Sequence, residues 1–377
     1  MTKLLGVYMH WPYCVRICPY CDFNVYKNRA VDEAAWIAAL KRDLEHYAAR
    51  TQGRKLTSLY FGGGTPSLAP LQVIESVIET CTRLWGFEPA AEITLEANPT
   101  DAEQSRFDAF AKAGINRLSL GVQSLRDEAL NFLGRDHDAA SAKHAIEAAK
   151  TAFPRVTFDL IYGRPGQTLD DWRTELGEAL ALRPQHLSLY QLTIEPGTAF
   201  ATAVEKGRWS PPEDDITADM YDAAQEMTAA AGLPAYEISN HAGPGEESRH
   251  NLVYWTYGDY VGVGPGAHGR LTEKGDRVAT ETPLAPKDYL AGAPHTQTIL
   301  NKSGATMERF TMGLRLRKGI PLHETDPFFT DVAAGAGAYE RIDRLIGDKL
   351  LTWDGENLAA TTDGRRILNR VLYELFA

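Results

Sequence analysis

Short apolar runs alternate with longer amphipathic stretches over the first two-thirds of the chain. The runs are rich in β-branched, aromatic and leucine residues and cover residues 6–10, 58–61, 92–96, 117–122, 156–161 and 186–192. Between them, apolar residues recur at helical spacing over residues 32–49, 70–85, 101–113, 139–152 and 169–182. These two periods predict strands and helices in alternation. That order is typical of parallel strands with right-handed crossovers, in an open doubly wound sheet or a barrel.

Polar or glycine-rich residues follow almost every predicted strand. They are His10, the Gly-Gly-Gly-Thr segment at 62–65, Glu96 with Asn98, Gln123 with Ser124, Asp159 with the segment 163–166, and Gln191. The carboxyl ends of parallel strands meet at one edge of a sheet, where α/β proteins place their chemistry. The sequence therefore predicts one cleft ringed by these strand ends.

The pattern changes after about residue 210. A helix is predicted over 213–231, and a strand-like segment at 236–238 precedes a glycine-rich stretch to residue 269. Further helices are predicted over 305–316, 338–346 and 363–376, with a hairpin over 350–360 turning at Asp354-Gly355 in a type I′ turn. We expect a large domain, residues 1–290, and a small winged-helix-like α+β domain, residues 291–377, that packs or binds a partner rather than DNA.

Composition and charge narrow the functional classes. The chain has 377 residues, with 44% hydrophobic and 24% charged residues, as expected of a globular protein with a sizeable core. Its net charge of −11 offers no basic surface for nucleic acid or anionic lipid. The first residues lead directly into a short apolar run, too short for a signal peptide or membrane span. We therefore expect a cytoplasmic protein without a membrane anchor.

Three of the four cysteines lie within eight residues. Cys14, Cys18 and Cys21 are spaced Cys-x3-Cys-x2-Cys, whereas Cys81 lies in a stretch with helical apolar spacing and is expected to be a buried small side chain. In a reducing compartment such a cluster indicates a metal site rather than disulfides. Three thiolates from one loop can hold three irons of a cubane and leave the fourth open. Structural zinc is the alternative, although it favours four ligands.

The cysteine motif after the first strand and the segment Gly62-Gly63-Gly64-Thr65-Pro66 after the second together resemble the radical S-adenosylmethionine superfamily. The resemblance implies an incomplete parallel (βα) barrel. It also implies a 4Fe-4S cluster on Cys14, Cys18 and Cys21, whose open iron binds S-adenosylmethionine, with the glycine turn at the amino group of that cofactor. Glycines allow such close backbone approach.

A closer resemblance covers nearly the whole chain. The segments 8–14, 61–67, 95–99, 120–124, 133–135 and 159–163 resemble the oxygen-independent coproporphyrinogen III oxidase group and its relatives, the HemW heme chaperones. The resemblance implies that the C-terminal domain is of the HemN type. It implies a cofactor site for S-adenosylmethionine lined by Tyr8, Tyr20, Gly63, Gly64, Thr65, Glu96, Gln123, Arg135 and Asp159.

Two departures separate this chain from the oxidases. Their pattern has a further cysteine two residues after the third, where this chain has Phe23, and a long segment before the cluster. In addition, the segment from His250 to Trp255 resembles the His-Asn-x-x-Tyr-Trp signature of the HemW proteins. That resemblance implies heme contacts from His250, Tyr254 and Trp255, with His250 the candidate axial ligand. His268, in the glycine-rich stretch that follows, is expected to be structural.

The resemblance therefore implies a heme chaperone that binds the cluster, S-adenosylmethionine and heme. It would transfer heme to apoproteins such as respiratory enzymes, which it would meet near the membrane. The alternative is a radical enzyme that cleaves S-adenosylmethionine and abstracts hydrogen from a porphyrinogen propionate. A zinc protein with a barrel is the third possibility.

Overall fold

The computed structural model of the protein describes residues 4–27, 30–101, 103–323, 326–330 and 337–376. Residues 1–3 lie outside the described residues. So do residue 102 of the predicted 101–113 helix and residues 324–325, 331–336 and 377 of the predicted C-terminal domain. The expectation that the chain begins without a signal peptide rests partly on residues 1–3. Within the described ranges, no helix has both the length and the apolar character needed to cross a bilayer.

The first half of the chain alternates strands and helices as predicted. In order, the elements are β1 (Leu5–Trp11), β2 (Tyr13–Cys14), β3 (Tyr26–Lys27), α1 (Glu33–Arg50), β4 (Leu56–Gly63), α2 (Leu71–Leu84), β5 (Phe87–Ala97), α3 (Gln104–Ala113), β6 (Arg117–Gln123), α4 (Asp127–Phe132), α5 (Ala139–Ala152), β7 (Arg155–Tyr162), α6 (Leu169–Ala181) and β8 (His186–Gln191). Several helices begin at side-chain caps, and Thr168 with Asp171 forms a capping box at α6.

The second half adds shorter elements. They are α7 (Ala199–Glu205), α8 (Asp214–Ala230), β9 (Asn240–Ala242), α9 (Arg249–Trp255), β10 (Asp259–Val263), β11 (His268–Glu273), β12 (Asp276–Glu281), α10 (Pro286–Leu290), β13 (Thr296–Leu300), α11 (Lys302–Gly313), β14 (Ile320–Pro321), α12 (Pro327–Thr330), α13 (Ala338–Gly347), β15 (Leu351–Trp353), β16 (Asn357–Ala360), α14 (Thr362–Arg366) and α15 (Leu368–Phe376).

One large open sheet organises the molecule. Its strand order is β13-β12-β11-β10-β1-β4-β5-β6-β7-β8-β9. The strands from β10 to β8 run parallel to their neighbours, and the strands outside them pair antiparallel. The parallel part is the incomplete (βα) barrel that the sequence predicts. Its strands all deliver their carboxyl ends to one edge, which positions the site described below.

The two faces of the parallel strands differ in chemistry. Because side chains alternate along a strand, one face carries apolar residues such as Leu59, Leu120 and Phe158, which pack with the helices in one core. The other face carries polar residues such as Ser119, Asp159 and Ser188, of which Ser119 and Asp159 line a cavity. Packing against helices on one side thus leaves a polar concave surface on the other.

The C-terminal part has a second hydrophobic core. It contains Phe310, Leu314, Ile342, Leu358 and Val371, and a three-stranded sheet in the order β14-β16-β15 lies beside its helices. This arrangement of helices with a small sheet is winged-helix-like, as predicted. The division at residue 290 stays a prediction, and β13 beyond it pairs with β12 in the large sheet.

Several local predictions need correction. The predicted helix at 101–113 begins at Gln104, because Pro99–Asp101 forms a 3-10 turn. The extended pairing expected at 236–238 occurs instead in β9. In the C-terminal hairpin only Gly355 has a positive φ, whereas a type I′ turn requires two such residues. The predicted last helix is broken between Arg366 and Leu368 into α14 and α15.

Candidate functional site

The three clustered cysteines lie on the loop between β1 and β3. Cys14 ends β2, and the backbone N–H of Cys21 donates to the carbonyl oxygen of Cys18 at 3.1 Å. Pairing of Tyr13 with Tyr26 closes the base of the loop. All three cysteines are half-buried, and burial raises the pKa of the Cys14 thiol and raises that of Cys21 to about 11. Ionised thiolates here need a compensating positive charge, such as a metal centre.

A chain of hydrogen bonds connects two of these cysteines across the strand ends. The hydroxyl of Thr65 lies 3.5 Å from the Cys14 sulfur, and the Asn98 amide donates to that hydroxyl at 3.2 Å. Arg135 donates to the Asn98 oxygen and, at 3.2 Å, to the sulfur of Cys18. Hydrogen bonds from groups at the ends of two neighbouring strands and from one arginine therefore hold the cysteine loop in place.

The glycine turn after β4 has no room for larger residues. A Cβ on Gly64 would lie 2.8 Å from the carbonyl oxygen of Tyr13 and 3.0 Å from the Cys14 sulfur. The backbone N–H of Gly64 donates to the Trp11 carbonyl at 2.7 Å, and that of Thr65 donates to Tyr13 at 2.9 Å. Only a glycine turn can approach the cysteine loop this closely, because any side chain would displace it.

The strand ends and the cysteine loop enclose a cavity of about 350 Å³, which we call the cluster cavity. It is lined by Cys14, Cys18, Cys21 and by every residue predicted for S-adenosylmethionine except Tyr8, namely Tyr20, Gly63, Gly64, Thr65, Glu96, Gln123, Arg135 and Asp159. The tertiary structure thus brings the cysteine loop, the ends of five parallel strands and the segment after α4 around a single space.

Two carboxyl groups give the cluster cavity its electrostatic character. Burial raises the pKa of Glu96 to about 7, and that of Asp159 to about 6. Tyr60 donates to Glu96 at 2.7 Å, and the backbone N–H of Gly63 donates to it at 3.2 Å. A cation bound beside these groups would restore their ionised forms, since an opposite charge favours the carboxylate.

Asn98, Ser119 and Tyr190 also line the cluster cavity and were not among the predicted site residues. Asn98 was visible as a polar residue at the end of a predicted strand. Its role in connecting Thr65 to Arg135 could not be read from the sequence, because it depends on the pairing of β5 with β6.

A second space, the aromatic cavity, adjoins the first. It has a volume of about 530 Å³, and its aromatic lining comprises Tyr8, Phe23, Tyr254, Trp255, Tyr257 and Tyr260. Phe23 lines both cavities. Tyr8 thus lines the aromatic cavity rather than the cluster cavity, and its assignment to the cofactor site stays a prediction. Its hydroxyl is 3.0 Å from Nδ1 of His10, and both residues line the aromatic cavity.

His250, which was predicted to contact heme, lies behind the wall of the aromatic cavity, and its heme role stays a prediction. The ring is buried, with 1% exposure, and lines neither cavity. Its Nδ1 is 2.8 Å from the Ser58 hydroxyl, and its Nε2 is 2.5 Å from the Tyr254 hydroxyl. Burial lowers its pKa to about 3, so the ring is neutral. Both ring nitrogens are thus engaged within the protein, and His250 supports Tyr254. Tyr254 and Trp255 do face the aromatic cavity.

The chemistry of the cluster cavity fits an iron–sulfur cluster with an organic ligand beside it. Gln123 Oε1 and Arg135 Nε are buried and have no hydrogen-bond partner among the described residues. Both residues line the cluster cavity, so these two atoms are open to hydrogen bonds with a polar ligand there. In the described part of the chain, no three His, Cys, Asp or Glu residues are close enough to share one metal ion. A cubane does not require this, since each thiolate binds a different iron.

An incomplete parallel barrel, with three clustered cysteines on a loop at the carboxyl ends of its strands, defines a protein of the radical S-adenosylmethionine class. The model of the radical SAM superfamily matches residues 8–177. The chain is 37% identical to the heme chaperone HemW of Haemophilus influenzae, over 100% of this chain and 99% of that protein. It belongs to the HemW family of the radical SAM superfamily. Membership means a 4Fe-4S cluster and S-adenosylmethionine as cofactors.

Two further comparisons extend this result. Radical S-adenosyl methionine domain-containing protein 1, mitochondrial, of Danio rerio is 36% identical over 97% of this chain and 86% of that protein. The fold is similar to the structure of the coproporphyrinogen III oxidase HemN of Escherichia coli, with a TM-score of 0.80 and 22% sequence identity. The superposition covers 100% of this chain and 90% of the HemN chain. At that identity the likeness establishes the fold alone.

Proposed function

We propose that the protein is a heme chaperone. It binds a 4Fe-4S cluster, S-adenosylmethionine and heme, and it transfers heme to apoproteins such as respiratory enzymes. The observation that carries the proposal is the similarity to the heme chaperone HemW of Haemophilus influenzae along both chains. The aromatic cavity next to the cluster cavity supports it, because a porphyrin needs a broad apolar wall with few polar groups.

In this proposal Cys14, Cys18 and Cys21 hold the cluster, whose fourth iron supplies a coordination position for S-adenosylmethionine. Gly63, Gly64 and Thr65 give the cofactor a close backbone surface. Glu96 and Asp159 accept hydrogen bonds from its polar groups, and Arg135 neutralises charge at the cysteine sulfurs. Tyr20 and Gln123 complete the lining. All these residues surround one cavity, which supports their assignment to one ligand.

Phe23 favours the chaperone over the alternative, a porphyrinogen decarboxylase. It occupies the position where the oxidase pattern has a further cysteine, and its side chain is 62% exposed between the two cavities. An exposed aromatic ring at that point offers a contact surface to a flat apolar ligand. We propose that the protein works in the cytoplasm and reaches membrane-bound clients through contacts with them.

The test is an anaerobic reconstitution with iron and sulfide, followed by separate assays for heme and porphyrinogen. We expect stoichiometric hemin uptake, followed by transfer to a heme-free respiratory enzyme, which then gains activity. Porphyrinogen incubated with S-adenosylmethionine and reductant should stay unchanged. Rapid decarboxylation without heme transfer would establish the alternative instead.

A further inference from the structure

We propose that heme binds in the aromatic cavity with His268 as the iron ligand. This inference rests on the proposed function and specifies its site. Neither the family signature nor the glycine-rich segment around His268 points to this residue. The structure does, through the positions of the histidines around the aromatic cavity.

The signature histidine is excluded by its contacts. His250 lies behind the cavity wall, with Ser58 on one ring nitrogen and Tyr254 on the other. The Tyr60 ring stacks on it at 4.8 Å between centroids. The backbone at Arg249 and His250 is also held in place, since the buried carboxylate of Glu92 accepts hydrogen bonds from both N–H groups at 3.2 Å. His250 therefore holds Tyr254 in place in the cavity wall, and Tyr254, rather than His250, contacts the heme.

Among the described residues, two histidines line the aromatic cavity, and His268 alone of the two has a ring nitrogen without a hydrogen bond. His10 is 5% exposed, and its ring nitrogens contact the Tyr8 hydroxyl and the Asn24 carbonyl at 3.0 and 2.9 Å. The His268 side chain is 58% exposed. Among the described residues its nearest polar partner is Glu281, at 3.9 Å, which is beyond hydrogen-bond distance. A neutral imidazole with an available nitrogen is the commonest protein ligand of heme iron.

The backbone around His268 is rigid enough to present that ring. His268 begins β11 and pairs with Glu281 of β12. A Cβ on Gly262 would lie 2.1 Å from the His268 carbonyl oxygen, so the neighbouring strand packs directly against this backbone. A ligand on a fixed strand loses little conformational entropy on binding iron.

The remaining lining residues suit the apolar ring of a heme and its polar propionates. Tyr254 packs edge-on against Tyr260 at 4.5 Å, which gives an apolar wall beside His268. Arg270 lies two residues along β11, so it projects on the same side as His268. Glu308 engages its guanidinium at 2.9 and 3.1 Å, and the N–H groups that remain can donate to a propionate.

The experiment titrates hemin and iron-free protoporphyrin IX into the reconstituted protein and into His268→Ala. We expect His268→Ala to bind hemin at least tenfold more weakly and to lose the spectral signature of histidine ligation. Added imidazole should restore that signature. Affinity for iron-free protoporphyrin should change less than twofold, because only iron needs the ligand. The matched control is His144→Ala, an exposed histidine on α5, which should behave as the parent does.

The outcomes separate the two proposals. If the parent protein binds and transfers hemin but His268→Ala binds it equally well with an unchanged spectrum, the ligand assignment is wrong and the chaperone function stands. If the parent protein binds no hemin, both proposals fail. Equal weakening for both porphyrins would make His268 a wall residue rather than a ligand, which also overturns the assignment.

Discussion

The guanidinium of Arg135 donates a hydrogen bond to the sulfur of Cys18 across 3.2 Å, although the two residues are 117 positions apart in the chain. The same guanidinium donates to the Gly121 carbonyl at 3.0 Å and to Asn98. A buried cation beside a ligand sulfur stabilises negative charge on that sulfur. With an iron–sulfur cluster bound at Cys18, Arg135 would therefore stabilise the negative charge of the cluster, in addition to lining the cluster cavity.

Replacing Arg135 should make the cluster harder to reduce. Arg135→Gln removes the positive charge that stabilises the reduced, more negative cluster, and one charge-assisted hydrogen bond is worth about 1.5–3 kcal/mol. We expect the one-electron potential to fall by about 60 mV or more, measured by anaerobic redox titration. Arg126→Gln, which loses a half-exposed pair with Glu178, is the control and should leave the potential unchanged. A variant of Arg135 with the parental potential would contradict the assigned role.

Affinity for S-adenosylmethionine should rise with pH through about 7. The raised pKa of Glu96 means that this carboxyl is protonated below that value and ionised above it, and only the carboxylate attracts the cationic cofactor. Between pH 6 and 8 we expect the dissociation constant to fall about tenfold, measured by anaerobic calorimetry. In Glu96→Gln the main dependence should disappear, leaving a weaker one near pH 6 from Asp159. An unchanged pH profile would remove Glu96 from the cofactor site.

His250→Ala should lower stability in a pH-dependent way. The substitution leaves Ser58 and Tyr254 without partners, and each unpaired buried group costs about 1–3 kcal/mol. Because the folded pKa of about 3 lies below the unfolded value, protonation favours the unfolded chain as the pH falls. The stability difference between parent and variant should therefore narrow by about 1.4 kcal/mol per pH unit below 6.5.

Urea denaturation at pH 7.5, 6.0 and 5.0 checks this prediction. His144→Ala is again the control, because its ring is exposed and its loss should change stability by less than about 0.5 kcal/mol. A constant difference between parent and His250→Ala across this pH range would show that the ring titrates normally in the folded protein.

The cysteines should fall into two classes. Cys14→Ser, Cys18→Ser and Cys21→Ser should each lose the visible absorption of the reconstituted cluster, because each thiolate binds a different iron. Cys81→Ala should retain it, since Cys81 is fully buried in the core on α2 and burial raises its pKa. Iron and sulfide analysis accompanies the spectra. Loss of the cluster in Cys81→Ala would show that the fourth cysteine is not merely structural.

The sequence by itself determined the framework and the metal chemistry. The apolar residues recur with either the strand period or the helix period, and these periods predicted the order of strands and helices. They are visible in the sequence because each element buries one face, so apolar residues recur at the spacing of that element. Three cysteines in one loop and a glycine turn after the second strand identified the cofactor class, since both features are local. The hairpin at Asp354-Gly355 was predicted, but its turn type and the break before Leu368 were not, because they depend on single backbone torsions.

Only the tertiary structure decided which cavity each side chain faces. Tyr8 lines the aromatic cavity and His250 lies behind its wall, although the sequence pattern assigned both to ligand contacts. His268 became a candidate because strand pairing exposes its ring among aromatic residues that lie near it only in space. Such neighbours depend on strand register and helix packing, which no local pattern encodes.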